Sequence, residues 1–168
     1  MRKLALGLIA IASLSLGACS SKKLSDRDKF LQDQQQGADL KRGELSTVAG
    51  EYVGELKGTD GTVHNVKLFL QVKDVSETKG DADPVLIPKL LGSLRFILGD
   101  ESNGEHIDCA IKSSEYIKAS GKISIVVSHA QFGELVISGT ANGRDVSGSW
   151  NASSVSRGGQ INVVKRAE

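Results

Sequence analysis

Apolar and polar residues alternate along most of the chain, from about residue 48 to residue 165. Successive side chains of a β-strand point to opposite faces, so this period of two predicts strands that each bury one face. The runs are short and rich in valine, isoleucine and threonine, as is typical of sheets. About nine such runs occur, and their predicted inward residues are Tyr52, Gly54 and Leu56; Val66, Leu68, Leu70 and Val72; Leu94, Phe96 and Leu98; Ile107, Cys109 and Ile111; Tyr116; Ile123, Ile125 and Val127; Leu135 and Ile137; Val146, Gly148 and Trp150; and Ile161 and Val163.

Residues suited to tight turns separate the predicted strands. Asparagine or aspartate followed by glycine tolerates the positive φ that two-residue hairpin turns need. Such pairs, and further glycine breaks, occur at Asp60-Gly61, Asn103-Gly104, Asn142-Gly143, Gly121, Gly133 and Gly158-Gly159. After residue 46 no helix-period run of 12 or more residues occurs, which disfavours a βαβ fold. We therefore predict an all-β domain over residues 47–168: a single antiparallel β-barrel of eight or nine strands, with a β-sandwich as the alternative.

The segment 84–92 differs from its surroundings, because it contains both prolines of the chain and is mostly apolar. We predict a loop that covers an open end or an edge of the sheet, where proline blocks further strand pairing. The alternatives are a lid over an interior cavity, or a surface that meets lipid or a partner. In those alternatives, the residues that contact a ligand or partner are Val85, Leu86, Ile87, Leu90 and Leu91.

Residues 20–46 are polar, with acidic and basic side chains nearly balanced and too few apolar ones to form a core. This composition predicts a flexible coil with a root-mean-square span of roughly 30 Å. Ser25 suits a helix N-cap, so one or two helical turns are compatible with the pattern, although Gly37 interrupts it. A partner-binding motif formed by Phe30 and Leu31 is the alternative use of this segment.

The N-terminus has the organisation of a secretory signal peptide. Met1, Arg2 and Lys3 give a cationic start, residues 4–16 are almost wholly apolar, and two small residues precede Cys19. The apolar run of about 13 residues is too short for a bilayer core, which requires ~20 helical residues. We therefore predict a leader that is removed, not a transmembrane helix.

The run Leu16-Gly17-Ala18-Cys19 resembles the lipobox of bacterial lipoproteins, in which leucine and two small residues precede the cysteine. The resemblance implies attachment of diacylglycerol to Cys19, removal of residues 1–18 and acylation of the new amino terminus. Two or three acyl chains make release from a membrane negligible. The alternative is an ordinary leader that a cysteine follows by chance.

Ser20 follows the lipobox cysteine, where many lipoproteins kept in the inner membrane carry aspartate. The resemblance therefore implies a lipid-anchored protein of the cell outer membrane, on either its periplasmic or its exposed side. The predicted organisation is a signal peptide over 1–18, a lipidated cysteine and polar tether over 19–46, and the β domain over 47–168.

The charge and composition of the chain limit the classes of partner that it can bind. The chain has 21 basic and 20 acidic residues, and loss of Arg2 and Lys3 with the leader leaves a net charge of about −1. After the leader no run of more than two basic residues occurs. Nucleic-acid-binding domains carry basic patches, so we predict no nucleic-acid partner. The predicted partners are the membrane, through the lipid anchor, and either an envelope protein or a small apolar ligand.

The residues suited to catalysis or metal binding are scattered. His64, His106 and His129 lie at the ends of predicted strands, without the spacing of a metal site. A structural zinc site needs about four cysteine or histidine ligands, and Cys109 is the single cysteine of the β domain. Because Cys109 lies on a predicted inward face, we expect it to be buried. We predict no metal and no cofactor.

Gly50-Glu51-Tyr52 at the first predicted strand and Lys165-Arg166 at the end of the last are similar to elements of the calycin and lipocalin barrels. In those families a Gly-x-Trp near the first strand stacks on a basic residue from the end of the barrel, and here tyrosine stands in place of tryptophan. The resemblance implies an eight-stranded barrel that is either filled by side chains or holds one small ligand.

Three functions are compatible with these features. The prediction is a membrane-anchored cell-envelope lipoprotein that is not an enzyme, but a structural or protein-interaction module. The alternative is lipocalin-like binding of a small apolar or lipid-like ligand inside the barrel. A hydrolase acting on envelope material would require a cleft that brings together two of Ser76, His106 and Asp108.

Overall fold

The computed structural model describes residues 25–78, 84–98 and 105–167. Within these ranges the chain forms one helix followed by eight strands. In chain order they are α1 (Asp26–Ser46), β1 (Gly50–Gly58), β2 (Val63–Glu77), β3 (Val85–Leu98), β4 (Glu105–Ile117), β5 (Lys122–His129), β6 (Gly133–Ala141), β7 (Asp145–Ala152) and β8 (Gly158–Lys165).

The eight strands form one closed antiparallel barrel. Each strand pairs with the next along the chain, and β8 returns to pair with β1. Closure removes the free edges that an open sheet would leave in the barrel wall. The prediction of an all-β, single antiparallel barrel is confirmed, and the β-sandwich alternative is wrong.

β4 explains why eight strands form where the pattern suggested about nine. Its pairing with β5 shifts register between Ile111 and Ser113, as at a β-bulge. The shift moves the inward face from odd-numbered to even-numbered positions, so that Cys109 before it and Tyr116 after it are both buried. The apolar pattern around Tyr116 is therefore the second half of a bulged strand and not a strand of its own.

The barrel interior is filled by the inward faces of the strands. These side chains form one hydrophobic cluster, which is mainly aliphatic. Predicted inward residues are buried in all eight strands, and examples are Tyr52, Leu68, Leu94, Cys109, Ile125, Ile137, Val146 and Ile161. Leu98 departs from the pattern, because it is the last residue of β3 and is exposed. Since one face of each strand is buried, a slip of one residue in the pairing would turn that face outward, and the register is therefore well specified.

The barrel has two different ends. The helix end holds the start of β1, the β4–β5 and β6–β7 connections and the end of β8, and the far end holds the turns 59–62, 130–132 and 153–157. Leu45 and Val48 precede β1 and are buried in the core cluster. The chain that enters the barrel therefore closes the helix end itself.

Residues 26–46 form a single helix of 21 residues, so the prediction of a flexible coil with one or two helical turns is wrong. Ser25 is the N-cap, as predicted. Its Oγ accepts from the Asp28 N–H at 3.1 Å, and the Asp28 carboxylate accepts from the Ser25 N–H at 3.3 Å. Gly37 does not interrupt the helix, because packing of α1 against β2 and β3 adds to a weak local preference.

Polar contacts fix the second half of α1 to the barrel. Arg42 Nη2 donates to both carboxylate oxygens of Asp74, at 2.9 and 3.0 Å. Lys41 Nζ donates to the carbonyl oxygen of Tyr116 at 3.2 Å. Together with the buried Leu45, these contacts give α1 a fixed course relative to the barrel.

β2 and β3 are the longest strands, with 15 and 14 residues, and they extend past the barrel wall. β1 pairs with β2 only as far as Leu70, and β4 pairs with β3 only from Ser93. We call the projecting part of this hairpin, residues 71–77 and 85–91, the arm. The loop predicted for residues 84–92 is therefore wrong, since Val85–Leu98 is a strand.

Proline and glycine have physical roles in the arm. Pro88 lies opposite Asp74, at a position where β3 has no β4 partner, so its missing N–H removes no hydrogen bond to β4. Gly92 lies at the base of the arm with a φ of +151°. A Cβ there would overlap the carbonyl oxygen of Phe69, so only glycine fits this bend. Pro88 therefore marks an edge strand and not a loop.

Candidate functional site

Four aromatic and histidine rings meet at the far end of the barrel. Phe96 packs edge-on against His129, with ring centroids 4.9 Å apart, and against His64 at 5.9 Å. Phe132 stacks on His129 at 4.5 Å and lies 6.4 Å from His64. These residues come from β2, β3, β5 and the turn after β5, so the cluster exists only because the barrel closes.

His129 organises the turn that carries Phe132. Its side chain is buried, and its Nδ1 accepts the backbone N–H groups of Gln131 at 3.1 Å and Phe132 at 3.2 Å. Because Nδ1 is an acceptor, the proton of the neutral ring is on Nε2. Burial, and secondly the neighbouring His64, lower the pKa of His129. The neutral ring is therefore a structural part of the far end.

A cavity of about 310 Å³ opens beside this cluster. It is formed by the β1–β2 turn, the start of β2, the β5–β6 turn and the β7–β8 turn, and its lining includes Asp60, His64, Phe132, Trp150 and Arg157. Ligand pockets have volumes of about 300–1,000 Å³ and are common in the mouths of β-barrels. We call this cavity the far-end cavity.

Asp60 is held in place at the rim of the far-end cavity. Its Oδ1 accepts from the Thr62 N–H at 3.0 Å and from the Thr62 hydroxyl at 2.5 Å. Arg157 Nε lies 3.9 Å from Asp60 Oδ2, which is an ion-pair distance but too long for a hydrogen bond. The Thr62 hydrogen bonds, and to a smaller extent the charge of Arg157, lower the pKa of Asp60. Asp60 is therefore a fixed anion beside a cation that keeps free donors.

Trp150 provides the least satisfied polar atom of the far end. The residue is only 4% exposed, and it belongs to the lining of the far-end cavity. Within the described ranges, its Nε1 is the one buried side-chain nitrogen or oxygen without a hydrogen-bond partner. A buried donor left unsatisfied costs about 1–3 kcal/mol, so this atom calls for an explanation.

The residues predicted to contact a ligand or partner divide between two environments. Leu90 is buried in the core, and Ile87 and Leu91 are half-buried. Val85 and Leu86 are exposed, Leu86 at 60%. These two border a groove of about 240 Å³ between the arm and the middle of α1, whose other lining residues include Asp33, Gln34, Gly37, Ala38 and Lys41. The predicted set is therefore partly core and partly an apolar surface beside α1.

Cys19, the predicted lipidation site, lies outside the described residues. Cys109 is buried and free, as predicted. Burial, and secondly the nearby Asp108, raise the pKa of its thiol. The cysteine of the β domain therefore contributes to the core as a small apolar residue.

The three hydrolase candidates are not brought together. Asp108 forms a two-point ion pair with Arg95, at 2.6 and 2.9 Å, and the hydrogen bonds from Arg95 lower its pKa. His106 lies at the start of β4, near the far end, whereas Ser76 lies on the arm at the opposite end. Over the part of the chain that the structure describes, no group of three histidine, cysteine or acidic residues is placed to hold a metal ion.

Gly50-Glu51-Tyr52 and Lys165-Arg166, on which the predicted resemblance to calycin barrels rests, lie together at the helix end. The Tyr52 hydroxyl donates to the Val48 carbonyl oxygen at 2.8 Å inside the core. Burial raises the pKa of Tyr52 to about 12. Lys165 covers Gly50, where a Cβ would overlap its side chain, and Arg166 Nη1 lies 3.4 Å from Glu51 Oε1. The two ends of the β domain are thus tied together around Tyr52.

No family model, curated protein or solved structure matches this chain significantly. Among the described residues, none of the helical sequence is long and apolar enough to span a bilayer.

The far-end cavity was not predicted from the sequence. Its lining comes from positions about 100 residues apart in the chain, between Gly58 and Gly158, and no local spacing connects them. A usable signal was present nonetheless: the only tryptophan of the chain lies at an inward position near the end of a predicted strand, where its N–H needs an acceptor. The barrel interior is packed by the core cluster, so the alternative of a ligand at its centre gains no support from the geometry.

Proposed function

We propose that this chain is a cell-envelope lipoprotein, anchored in the outer membrane through a lipidated Cys19, whose barrel is a non-enzymatic interaction module. In this proposal residues 1–18 are removed, the helix end of the barrel faces the membrane and the far end points away from it. The observation that carries the proposal is the attachment of α1 to the barrel, because it fixes how the barrel stands relative to the start of α1, from which the chain leads back to Cys19.

The anchor is supported by the sequence. Leu16-Gly17-Ala18-Cys19 has the order of a lipobox and follows a cationic start and a short apolar run. Six residues separate Cys19 from Asp26, the first residue of α1. Fully extended, they reach no more than roughly 25 Å, so the start of α1 stays close to the lipid headgroups.

The docked helix α1 supports the proposal that the barrel presents one end away from the membrane. A helix of 21 residues is about 31 Å long at 1.5 Å per residue. The pair of bonds from Arg42 to Asp74, the bond from Lys41 to Tyr116 and the burial of Leu45 hold its second half against the barrel. A flexible coil would let the barrel rotate freely, whereas this docked helix presents one end of it.

Two exposed apolar residues support the proposal that the arm faces the membrane. Val85 and Leu86 lie beside residues 33–38 of α1, so the arm points back along the helix toward its N-terminus. Exposed apolar side chains are unfavourable in water and favourable in the headgroup region. We assign Val85 and Leu86 to contact with the lipid surface, because the anchored end of the chain brings that surface within reach.

Fractionation of the envelope tests the anchor. We expect Cys19→Ala to release the protein into the soluble fraction and to remove the lipid mass from the N-terminal peptide. Cys109→Ala is the matched control, since it removes the other cysteine, and it should remain with the membrane. If Cys19→Ala still sediments with the outer membrane and the unaltered protein carries no lipid, the proposal is wrong.

A further inference from the structure

A residue that lines the far-end cavity carries a buried donor that none of the described residues uses. Trp150 Nε1 can only donate a hydrogen bond, and the described residues offer it no acceptor. Trp150 is more than nine-tenths buried and lines the cavity. An acceptor atom supplied from outside the chain would complete this site.

The charge at the rim indicates what kind of acceptor fits. The Arg157 guanidinium approaches Asp60 no closer than 3.9 Å, and over the described residues its side chain makes no hydrogen bond. Both donors of Thr62 bond to Oδ1 of Asp60, which holds the carboxylate away from Arg157. Arg157 therefore keeps donors for a planar carboxylate, which guanidinium binds through two parallel hydrogen bonds.

The residues that form the walls of the far-end cavity indicate the shape and size of the ligand. Phe132 and His64 line the cavity as flat rings, and His129 holds the Phe132 turn in position from behind. Aromatic rings favour stacked or edge-on contact with another flat ring. The volume of about 310 Å³ lies at the lower end of the range for ligand sites, so the ligand is small.

We propose that the far-end cavity binds a small planar carboxylate, whose oxygens accept from Arg157 and Trp150 Nε1 and whose ring packs on Phe132. This site is separate from the packed interior and does not depend on the lipid anchor. It lies at the end of the barrel opposite α1, where a ligand enters without displacing the core.

The experiment uses the single tryptophan of the chain, because it gives one indole N–H signal in a ¹H–¹⁵N spectrum of the full-length labelled protein. Benzoate is the probe, acetate is the carboxylate without a ring, and benzyl alcohol is the ring without a charge. We expect benzoate to shift the indole signal along a saturating curve, with an affinity at least about tenfold above that of either control.

Two substitutions separate binding from folding. Arg157→Gln should weaken benzoate binding about tenfold while the spectrum stays folded. Arg95→Gln is the matched control, since it breaks an ion pair on the outer wall with Asp108, and it should leave benzoate binding unchanged. Trp150→Phe, followed by calorimetry, should also weaken binding while thermal unfolding remains cooperative.

Three results would overturn the proposal. The indole signal does not move with benzoate up to about 10 mM, which would mean that an ordered water satisfies Trp150. Benzoate, acetate and benzyl alcohol act equally, which would mean nonspecific contact. Arg157→Gln and Arg95→Gln weaken binding by the same factor, which would mean a general charge effect.

Discussion

The two ends of the barrel are built in opposite ways. At the helix end, polar groups have partners: the Tyr52 hydroxyl donates to the Val48 carbonyl oxygen inside the core, and Lys41 donates to the Tyr116 carbonyl oxygen at its border. At the far end, Trp150 Nε1 is buried with no acceptor among the described residues, and Arg157 stands too far from Asp60 for a hydrogen bond. One end of the barrel thus stabilises the fold, whereas the other end keeps polar groups available.

The largest effect on stability is expected from a substitution at the helix end. Leu45→Ala removes a side chain that is 2% exposed, and burial loss plus the cavity left behind should lower the free energy of unfolding by about 2–3 kcal/mol. The matched control in the same helix is Leu40→Ala, which is 74% exposed and should change stability by less than about 0.5 kcal/mol. Urea unfolding of both variants measures the difference, and equal effects would show that α1 does not close the barrel.

A smaller effect is expected from Tyr52→Phe. The change keeps the ring but leaves the buried Val48 carbonyl without its donor, which should cost about 1–2 kcal/mol of stability. The raised pKa of about 12 means that the folded state holds its proton more tightly than the unfolded state, so stability falls as pH rises above the ordinary value of about 10. Denaturant unfolding at pH 8 and pH 11 should show a shallower decline for Tyr52→Phe. A decline as steep as that of the unaltered protein would contradict this account.

At the far end, stability should instead fall in acid. Because the pKa of His129 is lowered in the fold, the unfolded state binds the proton more readily, and stability is lost as pH falls below about 6.5. Protonation of Nδ1 would also break the two hydrogen bonds from the 131–132 backbone. His129→Asn keeps an acceptor near that position without titrating, so its thermal midpoint should depend less on pH between 7.5 and 5. An unchanged pH dependence would show that His129 does not control the far end.

The smallest effect is expected at the surface of α1. Arg42→Gln removes the two bonds to Asp74 and one to Asp39 within α1, but exposed ion pairs contribute little to stability. We expect amide hydrogen exchange in the second half of α1 to rise by no more than a few-fold, while exchange in the barrel is unchanged. Lys29→Gln, which removes an exposed pair with Asp26 near the start of the helix, is the matched control. Complete loss of protection in α1 would mean that Arg42, and not Leu45, holds the helix.

The strands were predictable because burial of one face leaves a period of two in the sequence. The alternation in β2, for example at Val66, Leu68 and Leu70, follows directly from side chains pointing to opposite faces. The bulge in β4 was not predictable, since the register change near Ile111 has no glycine or proline to mark it.

The full length of α1 was not predictable from the sequence, for a different reason. Its sequence has no apolar stripe, and only Leu45 is buried, so the helix depends on a cap at Ser25 and on contacts with residues such as Asp74 that are distant in the chain. The arm was misjudged because prolines suggest loops, whereas Pro88 lies on an edge strand. The far-end cavity depends on barrel closure, which joins turns that are far apart in sequence.

Paramagnetic broadening in lipid nanodiscs tests whether the helix end faces the membrane while the far end faces away. The lipidated protein is labelled with ¹⁵N, and the nanodiscs contain a lipid with a paramagnetic headgroup. We expect strong broadening of the amide signals of Phe30, Leu31, Val85 and Leu86, and an unaffected indole signal of Trp150. Broadening of the Trp150 indole as strong as that of Leu86 would show that the far end also meets the membrane.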